Sequence, residues 1–155
     1  QYFASRYFNA HDMYFIGRNV DYAASLEASL KLKEISYIHS EAYTAGELKH
    51  GPISLLEDGT LVIAIATYEK LFDKMMSNVR EVKARGAVVL GITVRGKEEA
   101  LKQETDYQFC VPDITDFMLP SLSILPLQLF AYYVASMKGC DIDKPRNLAK
   151  SVTVE

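Results

Sequence analysis

Short runs of apolar residues recur along this chain, each followed by residues that favour helix. The two clearest runs, residues 61–66 (LVIAIA) and 87–93 (AVVLGIT), contain almost no side chain suited to facing water. Strands that are apolar on both faces belong inside a parallel sheet that helices cover on each side. Residues 13–16, 37–43 and 107–111 are similar runs. The pattern predicts an α/β domain with a five-stranded parallel sheet flanked by helices on both faces.

Helical segments separate these runs. Residues 23–35 are rich in Ala, Leu, Lys and Glu, and Asp21 is in a position to cap that helix. A second long helix is predicted over residues 69–84, with Gly86 ending it. Shorter helical turns are predicted at residues 45–49 and 97–103.

Charge and cysteine content narrow the functions open to the chain. Seventeen Lys and Arg residues stand against twenty Asp and Glu, dispersed along the sequence, which gives no basic surface for nucleic acid or anionic lipid. Cys110 and Cys140 are far apart and have no Cys or His at metal-ligand spacing, so no disulfide framework or metal site is expected. The sequence therefore predicts a cytoplasmic protein that binds neither nucleic acid nor metal, and no motif indicates a cofactor.

Residues 117–137 form the longest apolar stretch, about the length that a bilayer-spanning helix needs. Pro120, Pro126 and Gln128 interrupt it, and its aromatic residues lie in the interior as well as near the ends. We expect a helix of the domain core or of a subunit interface, and no membrane span. Beyond Gly139 the chain is polar, which predicts a tail that must dock onto another surface to be ordered.

Three charged residues share one side of the predicted helix 23–35. At about 100° per residue, Glu27, Lys31 and Glu34 fall within about 60° of one another. Apolar residues flank this triple, whereas the opposite face is polar and consists of Ser25, Ser29, Lys33 and Ser36. An ordinary surface ion pair is the simplest interpretation. Charges inside an apolar arc instead favour a partly buried cluster with shifted pKa values, as active sites contain.

Two residues outside this helix are further candidates. His50 lies between Gly46 and Pro52 in a segment (GELKHGP) that favours a rigid turn, although a loop histidine taken alone is more often inert. Lys150 lies in the polar tail, where lysines are usually solvated. His11 and His39 are weaker candidates. The sequence contains no dinucleotide fingerprint, P-loop, HExxH or GxSxG motif.

Two long segments resemble a known family. Residues 26–55 (LEASLKLKEISYIHSEAYTAGELKHGPISL) and 143–155 (DKPRNLAKSVTVE) resemble the isomerase half of the glutamine:fructose-6-phosphate aminotransferases, also called glucosamine-6-phosphate synthases. That half contains two sugar-isomerase (SIS) subdomains, each a flavodoxin-like three-layer sandwich, and this chain resembles the second. The resemblance implies a linker or helix end at residues 1–11, an SIS domain at 12–140 and a tail at 141–155 that closes the sugar site.

The resemblance also implies two catalytic roles. Lys150 would form a Schiff base with C2 of fructose-6-phosphate, which requires a neutral amine and hence a lowered pKa. Glu34 would move a proton between C1 and C2 to give glucosamine-6-phosphate, and apolar surroundings would raise the pKa of that carboxyl.

Further residues take supporting roles by the same resemblance. His50 would open the sugar ring from the neighbouring subunit of a homodimer. Lys31 would lie beside the proton relay, with Glu27 as its charge partner. The predicted substrate contacts are Glu27, Ala149 and Lys150.

Two parts of such an enzyme have no counterpart in this sequence. One is the glutaminase domain, whose N-terminal cysteine releases ammonia, and the other is the Ser/Thr-rich phosphate loop of the first SIS subdomain. We therefore expect an enzyme fragment that is inactive alone. A phosphosugar-binding regulatory module would be expected to carry its own phosphate loop, and an inert dimerisation domain would leave Glu27, Lys31 and Glu34 unexplained.

Overall fold

A single sheet of five parallel strands organises the computed structural model, which describes residues 1–148. The strands are β1 (Asp12–Gly17), β2 (His39–Thr44), β3 (Leu61–Ala66), β4 (Val88–Val94) and β5 (Tyr107–Val111). Their order is β2-β1-β3-β4-β5, and each neighbouring pair is parallel. The strand order reverses between β1 and β3, as in other doubly wound sheets. The predicted fold class is confirmed.

Helices cover both faces of this sheet. They are α1 (Tyr2–Tyr7), α2 (Val20–Ser36), α3 (Phe72–Lys83), α4 (Glu98–Lys102) and α5 (Leu119–Met137). Helices α1, α2 and α5 cover one face, and α3 and α4 cover the other. The predicted helix 69–84 differs at its start, because residues Glu69–Leu71 form a 3₁₀ turn before α3 begins.

Strand β3 illustrates why the apolar runs become inner strands. Leu61, Ile63 and Ile65 pack toward α2 and α5, whereas the alternate residues of the strand pack toward α3. All six residues of β3 are buried. Burial of a large aliphatic side chain stabilises a fold by about 1.5–3 kcal/mol, so a strand that is apolar on both sides is stable only with a helical layer on each face.

Helix α5 is the long apolar segment of the sequence. Its residues Leu127, Phe130 and Val134 join the core formed with α2 and the sheet. Among residues 1–148 it is the one helix long and apolar enough to cross a membrane by length and composition, and 39% of that apolar window is buried. Core helices have the same composition, so a single such helix is weak evidence for a span.

Helix α2 packs against the sheet and α5 through a face of small residues. The buried residues of this face include Ala24, Ser25, Ala28, Ser29, Leu32 and Ser36. The hydroxyls of Ser25 and Ser36 donate to backbone carbonyls four residues earlier, at 2.8 and 2.6 Å, and that of Ser29 lies 3.1 Å from the Ser40 hydroxyl. Ser25, Ser29, Lys33 and Ser36 were predicted to form the polar face of this helix. Lys33 is exposed, but the three serines are buried, because a hydroxyl that has a hydrogen-bond partner costs little to bury.

Asp21 ties the start of α2 to the end of β3. The cap position of α2 is Asn19, so the predicted capping role of Asp21 is wrong. Instead its carboxylate, 2% exposed, accepts the backbone N–H groups of Thr67 and Tyr68 at 2.9 and 3.0 Å, together with the Thr67 hydroxyl. A Cβ at Gly17 would collide with the Asp21 backbone, so the glycine permits this close approach.

Burial makes Asp21 a source of pH-dependent stability. It raises the pKa of Asp21 to about 6, although the hydrogen bonds from Thr67 and Tyr68 act in the opposite direction. The folded protein holds the Asp21 proton more tightly than the unfolded chain does. The contribution of this proton to the free energy of unfolding is therefore full below the ordinary pKa of 3.8 and is lost as pH rises through about 6. We expect the unfolding free energy of the wild type, minus that of Asp21→Asn, to fall by about 2 kcal/mol between about pH 4 and pH 7 in urea titrations.

A matched control for this measurement is Asp73→Asn, which removes an exposed carboxylate from the first turn of α3. If the difference in unfolding free energy between the wild type and Asp21→Asn does not change over the same pH range, Asp21 has an ordinary pKa in the folded protein.

Candidate active site

The predicted charged triple forms a cluster on the outward face of α2. Lys31 Nζ lies 2.8 Å from Glu34 Oε2 and 3.7 Å from Glu27 Oε1. The three side chains are 35% (Lys31), 26% (Glu34) and 47% (Glu27) exposed, and the neighbouring Leu26 and Leu30 are exposed as well. The predicted partial burial therefore holds for Lys31 and Glu34, but Glu27 and the flanking Leu30 are exposed. The triple faces outward because α2 turns its small residues toward the sheet.

Lys31 is held as a cation in this cluster. Its hydrogen bond to Glu34 raises the pKa of Lys31, while partial burial acts in the opposite direction. The Glu34 carboxylate is consequently paired with a positive charge, whereas the sequence predicts one surrounded by apolar side chains. A carboxylate held in one orientation by a neighbouring ammonium is suited to exchanging a proton with a ligand bound beside it.

The described part of the tail returns from α5 to the C-terminal end of α2. The Asp141 carboxylate accepts the backbone N–H groups of the residues two and three positions later, which forms a local turn. Further along, the Arg146 backbone N–H donates to Tyr37 Oη at 2.9 Å. A groove of about 420 Å³ lies between the two segments, lined by Glu34 of α2 and by residues 146–148 of the tail, among others.

Lys150 and Ala149, the two predicted tail residues, lie outside the described residues. In the sequence, Lys150 follows the groove residue Arg146 by four positions.

His50 lies at the other end of the sheet from Glu34. It is exposed and ends the 3₁₀ turn Leu48–His50, which follows the carboxyl end of β2, whereas Glu34 precedes the amino end of β2. The six residues of β2 put about 20 Å between the two ends. Within residues 1–148, no hydrogen bond or ion pair joins the His50 side chain to Glu27, Lys31 or Glu34. A single chain does not bring these predicted residues together.

The remaining histidines have a structural partner. The Nδ1 atoms of His11 and His39 each lie 2.6 Å from a carboxylate oxygen of Asp12, at the amino ends of β1 and β2. The hydrogen bond to Asp12 raises the pKa of His11, and the bond from His11 lowers that of Asp12. Among residues 1–148 no group of three or more His, Cys, Asp and Glu could hold a metal ion.

Comparison with known proteins defines the family of this chain. A family model described as the SIS domain matches residues 6–138. The chain belongs to the SIS domain family. A curated relative of this SIS domain, the glutamine–fructose-6-phosphate aminotransferase [isomerizing] of Caldanaerobacter subterraneus subsp. tengcongensis, is 57% identical over 155 residues. That match covers 100% of this chain and 25% of the relative.

Two solved structures resemble this SIS domain. The C-terminal domain of glucosamine-fructose-6-phosphate aminotransferase from Francisella tularensis matches with a TM-score of 0.88 and 36% identity, over 92% of this chain and 40% of that one. A glucosamine-6-phosphate deaminase from Thermotoga maritima matches with a TM-score of 0.74 and 30% identity, over 93% of this chain and 41% of that one. The two proteins are named for different reactions, so structural similarity alone does not select one of these reactions.

The two carboxylates of the triple are predicted to affect Lys31 unequally. Glu34→Gln removes the 2.8 Å partner and lowers the pKa of Lys31 toward its ordinary 10.5, whereas Glu27→Gln removes only the 3.7 Å partner and lowers it less. NMR titration of the Lys31 side chain in the SIS domain measures both changes. Because the cluster is partly exposed, either variant changes the unfolding free energy by less than about 1 kcal/mol. Equal pKa changes in the two variants would contradict the geometry.

Proposed function

We propose that this SIS domain belongs to the isomerase half of a glutamine:fructose-6-phosphate aminotransferase, which makes glucosamine-6-phosphate from fructose-6-phosphate and glutamine-derived ammonia. The observation that carries the proposal is that one groove contains both Glu34 and the segment leading to Lys150. The names of relatives matched along the whole chain support it. Because the chain spans about a quarter of their length, the reaction also needs a first SIS subdomain and a glutaminase domain of the same polypeptide. We expect the isolated chain to be inactive.

The chemistry requires an amine and an acid/base group. The Lys150 amine attacks C2 of the open-chain sugar and water leaves, which gives an imine, and ammonia then displaces the lysine. Glu34 removes a proton from C1 and a proton is returned to C2, while the hydroxyl proton on C1 is lost and the imine nitrogen gains one, so that C1 becomes the aldehyde and C2 carries the amine. Lys31 orients the Glu34 carboxylate through their 2.8 Å contact. Glu27 and Ala149 complete the proposed substrate contacts.

His50 acts in this proposal from a second copy of the chain. It lies at the opposite end of the strands from Glu34. The length of β2 separates the two by about 20 Å, which is too far for both to contact one sugar. A homodimer in which His50 of the partner subunit reaches the Glu34 groove removes this difficulty. His50 then opens the sugar ring before C2 can react.

The switch point of the sheet argues against an autonomous phosphosugar-binding module. Ligands of doubly wound proteins bind beyond the carboxyl ends of the strands, where free backbone N–H groups hold anions. Here the N–H groups of Thr67 and Tyr68 already donate to Asp21, whose carboxylate would repel a phosphate when charged. This favours a site in which another subdomain holds the phosphate.

The domain division follows the same proposal. Residues 12–140 form the SIS domain, residues 1–11 contribute α1, which packs against it, and residues 141–155 close over the sugar. The full-length protein acts in the cytoplasm and binds neither membrane nor nucleic acid.

The role of Glu34 is testable in the full-length polypeptide. We expect Glu34→Gln to reduce glucosamine-6-phosphate formation by about 10²- to 10⁴-fold, the usual contribution of one acid/base group. Uncoupled glutamine hydrolysis, measured as glutamate, remains. The control is Glu99→Gln, an exposed glutamate of α4. An unchanged synthase rate would remove Glu34 from the mechanism, and fructose-6-phosphate binding by a wild type without turnover would favour the regulatory module.

Mixed dimers test the contribution of His50 from the partner subunit. We expect Glu34→Gln and His50→Ala chains each to have little synthase activity when expressed alone. In a dimer containing one chain of each, the site with its own Glu34 receives an intact His50, and the other site has neither residue. We therefore expect activity to return on mixing the two chains under conditions of subunit exchange. If mixing restores nothing although mass spectrometry detects mixed dimers, His50 acts within its own chain or not at all.

A further inference from the structure

Tyr37 adopts a backbone conformation that tyrosine rarely takes. Its φ and ψ angles are 60° and 15°, in the left-handed region, where it ends α2. Glycine is the usual residue at this position of a helix, because a bulky side chain is strained there. Such strain persists where the surrounding structure enforces it, and it is concentrated at functional sites.

The side chain at this strained position makes two contacts with the tail. The Tyr37 hydroxyl accepts the Arg146 backbone N–H at 2.9 Å, and the Arg146 guanidinium carbon lies 4.1 Å from the centroid of the Tyr37 ring. A guanidinium at this distance from an aromatic face is within the range of a cation–π interaction. One residue of α2 therefore holds both the backbone and the side chain of one tail residue.

These contacts lie beside the proposed chemistry. Tyr37 follows Glu34 by three residues, about one helical turn, and both line the same groove as Arg146. Lys150 is four residues beyond Arg146, and a chain anchored at Arg146 explores far less space than one anchored only at the end of α5, at Met137.

We propose that Tyr37 and Arg146 form a clamp that positions the tail, and with it Lys150, against Glu34. Both are positioning residues, and neither touches the reacting carbons. This inference rests on the proposed isomerase function and adds to it the element that brings the amine and the acid/base group into one site.

Tyr37→Gly separates this role from a role in stability. Glycine is unstrained at φ 60°, so the variant is expected to melt within a few degrees of the wild type, as determined by calorimetry of the full-length enzyme. Loss of the clamp misplaces the amine, so kcat falls by about 10²-fold. KM for fructose-6-phosphate changes much less, because the phosphate is held elsewhere.

Graded variants test each contact of the clamp. Tyr37→Phe keeps the ring and loses one hydrogen bond, so its kcat lies between those of the wild type and Tyr37→Gly. Arg146→Gln loses the cation over the ring, and Arg146→Lys restores part of the lost rate. The matched control is Asn19→Gly, which changes the positive-φ residue at the opposite cap of α2, at φ 53°. Its kcat is expected to be that of the wild type.

Borohydride trapping measures directly whether the Lys150 amine forms an imine with the sugar. With fructose-6-phosphate present, reduction is expected to attach sugar to Lys150 in the wild type, and this attachment falls in Tyr37→Gly and Arg146→Gln in parallel with kcat. Unchanged kcat and trapping in these variants would overturn the clamp, as would losses accompanied by a proportional fall in melting temperature. A wild-type enzyme that forms no glucosamine-6-phosphate would instead overturn the proposed function.

Discussion

The contact between the small face of α2 and the sheet determines what this domain can present to a ligand. Serine and alanine let the helix approach closely, and each buried serine hydroxyl has a hydrogen-bond partner within the helix or on β2. Because that face is fixed inward, Glu27, Lys31 and Glu34 must face outward, beside the tail. The Asp21 contact with Thr67 and Tyr68 then fixes the start of the same helix relative to the sheet.

The polarity of the sheet explains why the candidate site is incomplete in one chain. Helices that connect parallel strands run antiparallel to them, so Glu34, near the end of α2, lies at the amino ends of the strands. His50 follows β2 and lies at the carboxyl ends of the strands. In the crevice at the carboxyl ends of the strands, where such folds usually bind ligands, the backbone N–H groups of Thr67 and Tyr68 donate to Asp21. In the proposed function, the site at the amino ends of the strands is completed by surfaces outside this domain.

The strands were predictable from sequence and the orientation of α2 was not. Runs such as LVIAIA are apolar on both faces and end at turn residues, so local composition is sufficient to locate β3. An argument from periodicity treats serine as polar and therefore places it on the exposed face. In α2, a hydrogen bond from the serine hydroxyl to the carbonyl four residues earlier allows the side chain to be buried, so the predicted faces are reversed. The partners of Asp21 and Tyr37 lie 46 and 109 residues away, and no local pattern specifies such contacts.

The strand order also determines how the chain assembles during synthesis. Strand β1 pairs with β2 on one side and with β3 on the other, and β3 begins at Leu61. Until that residue has left the ribosome, the emerging β1-α2-β2 unit has an open edge along β1, with Phe15 and its neighbours unburied on the face that α5 finally covers. Unpaired edges and exposed apolar surface make nascent chains prone to aggregation. The α2 segment that carries the charged triple thus acquires its final packing only when α5, more than 80 residues later, has been made.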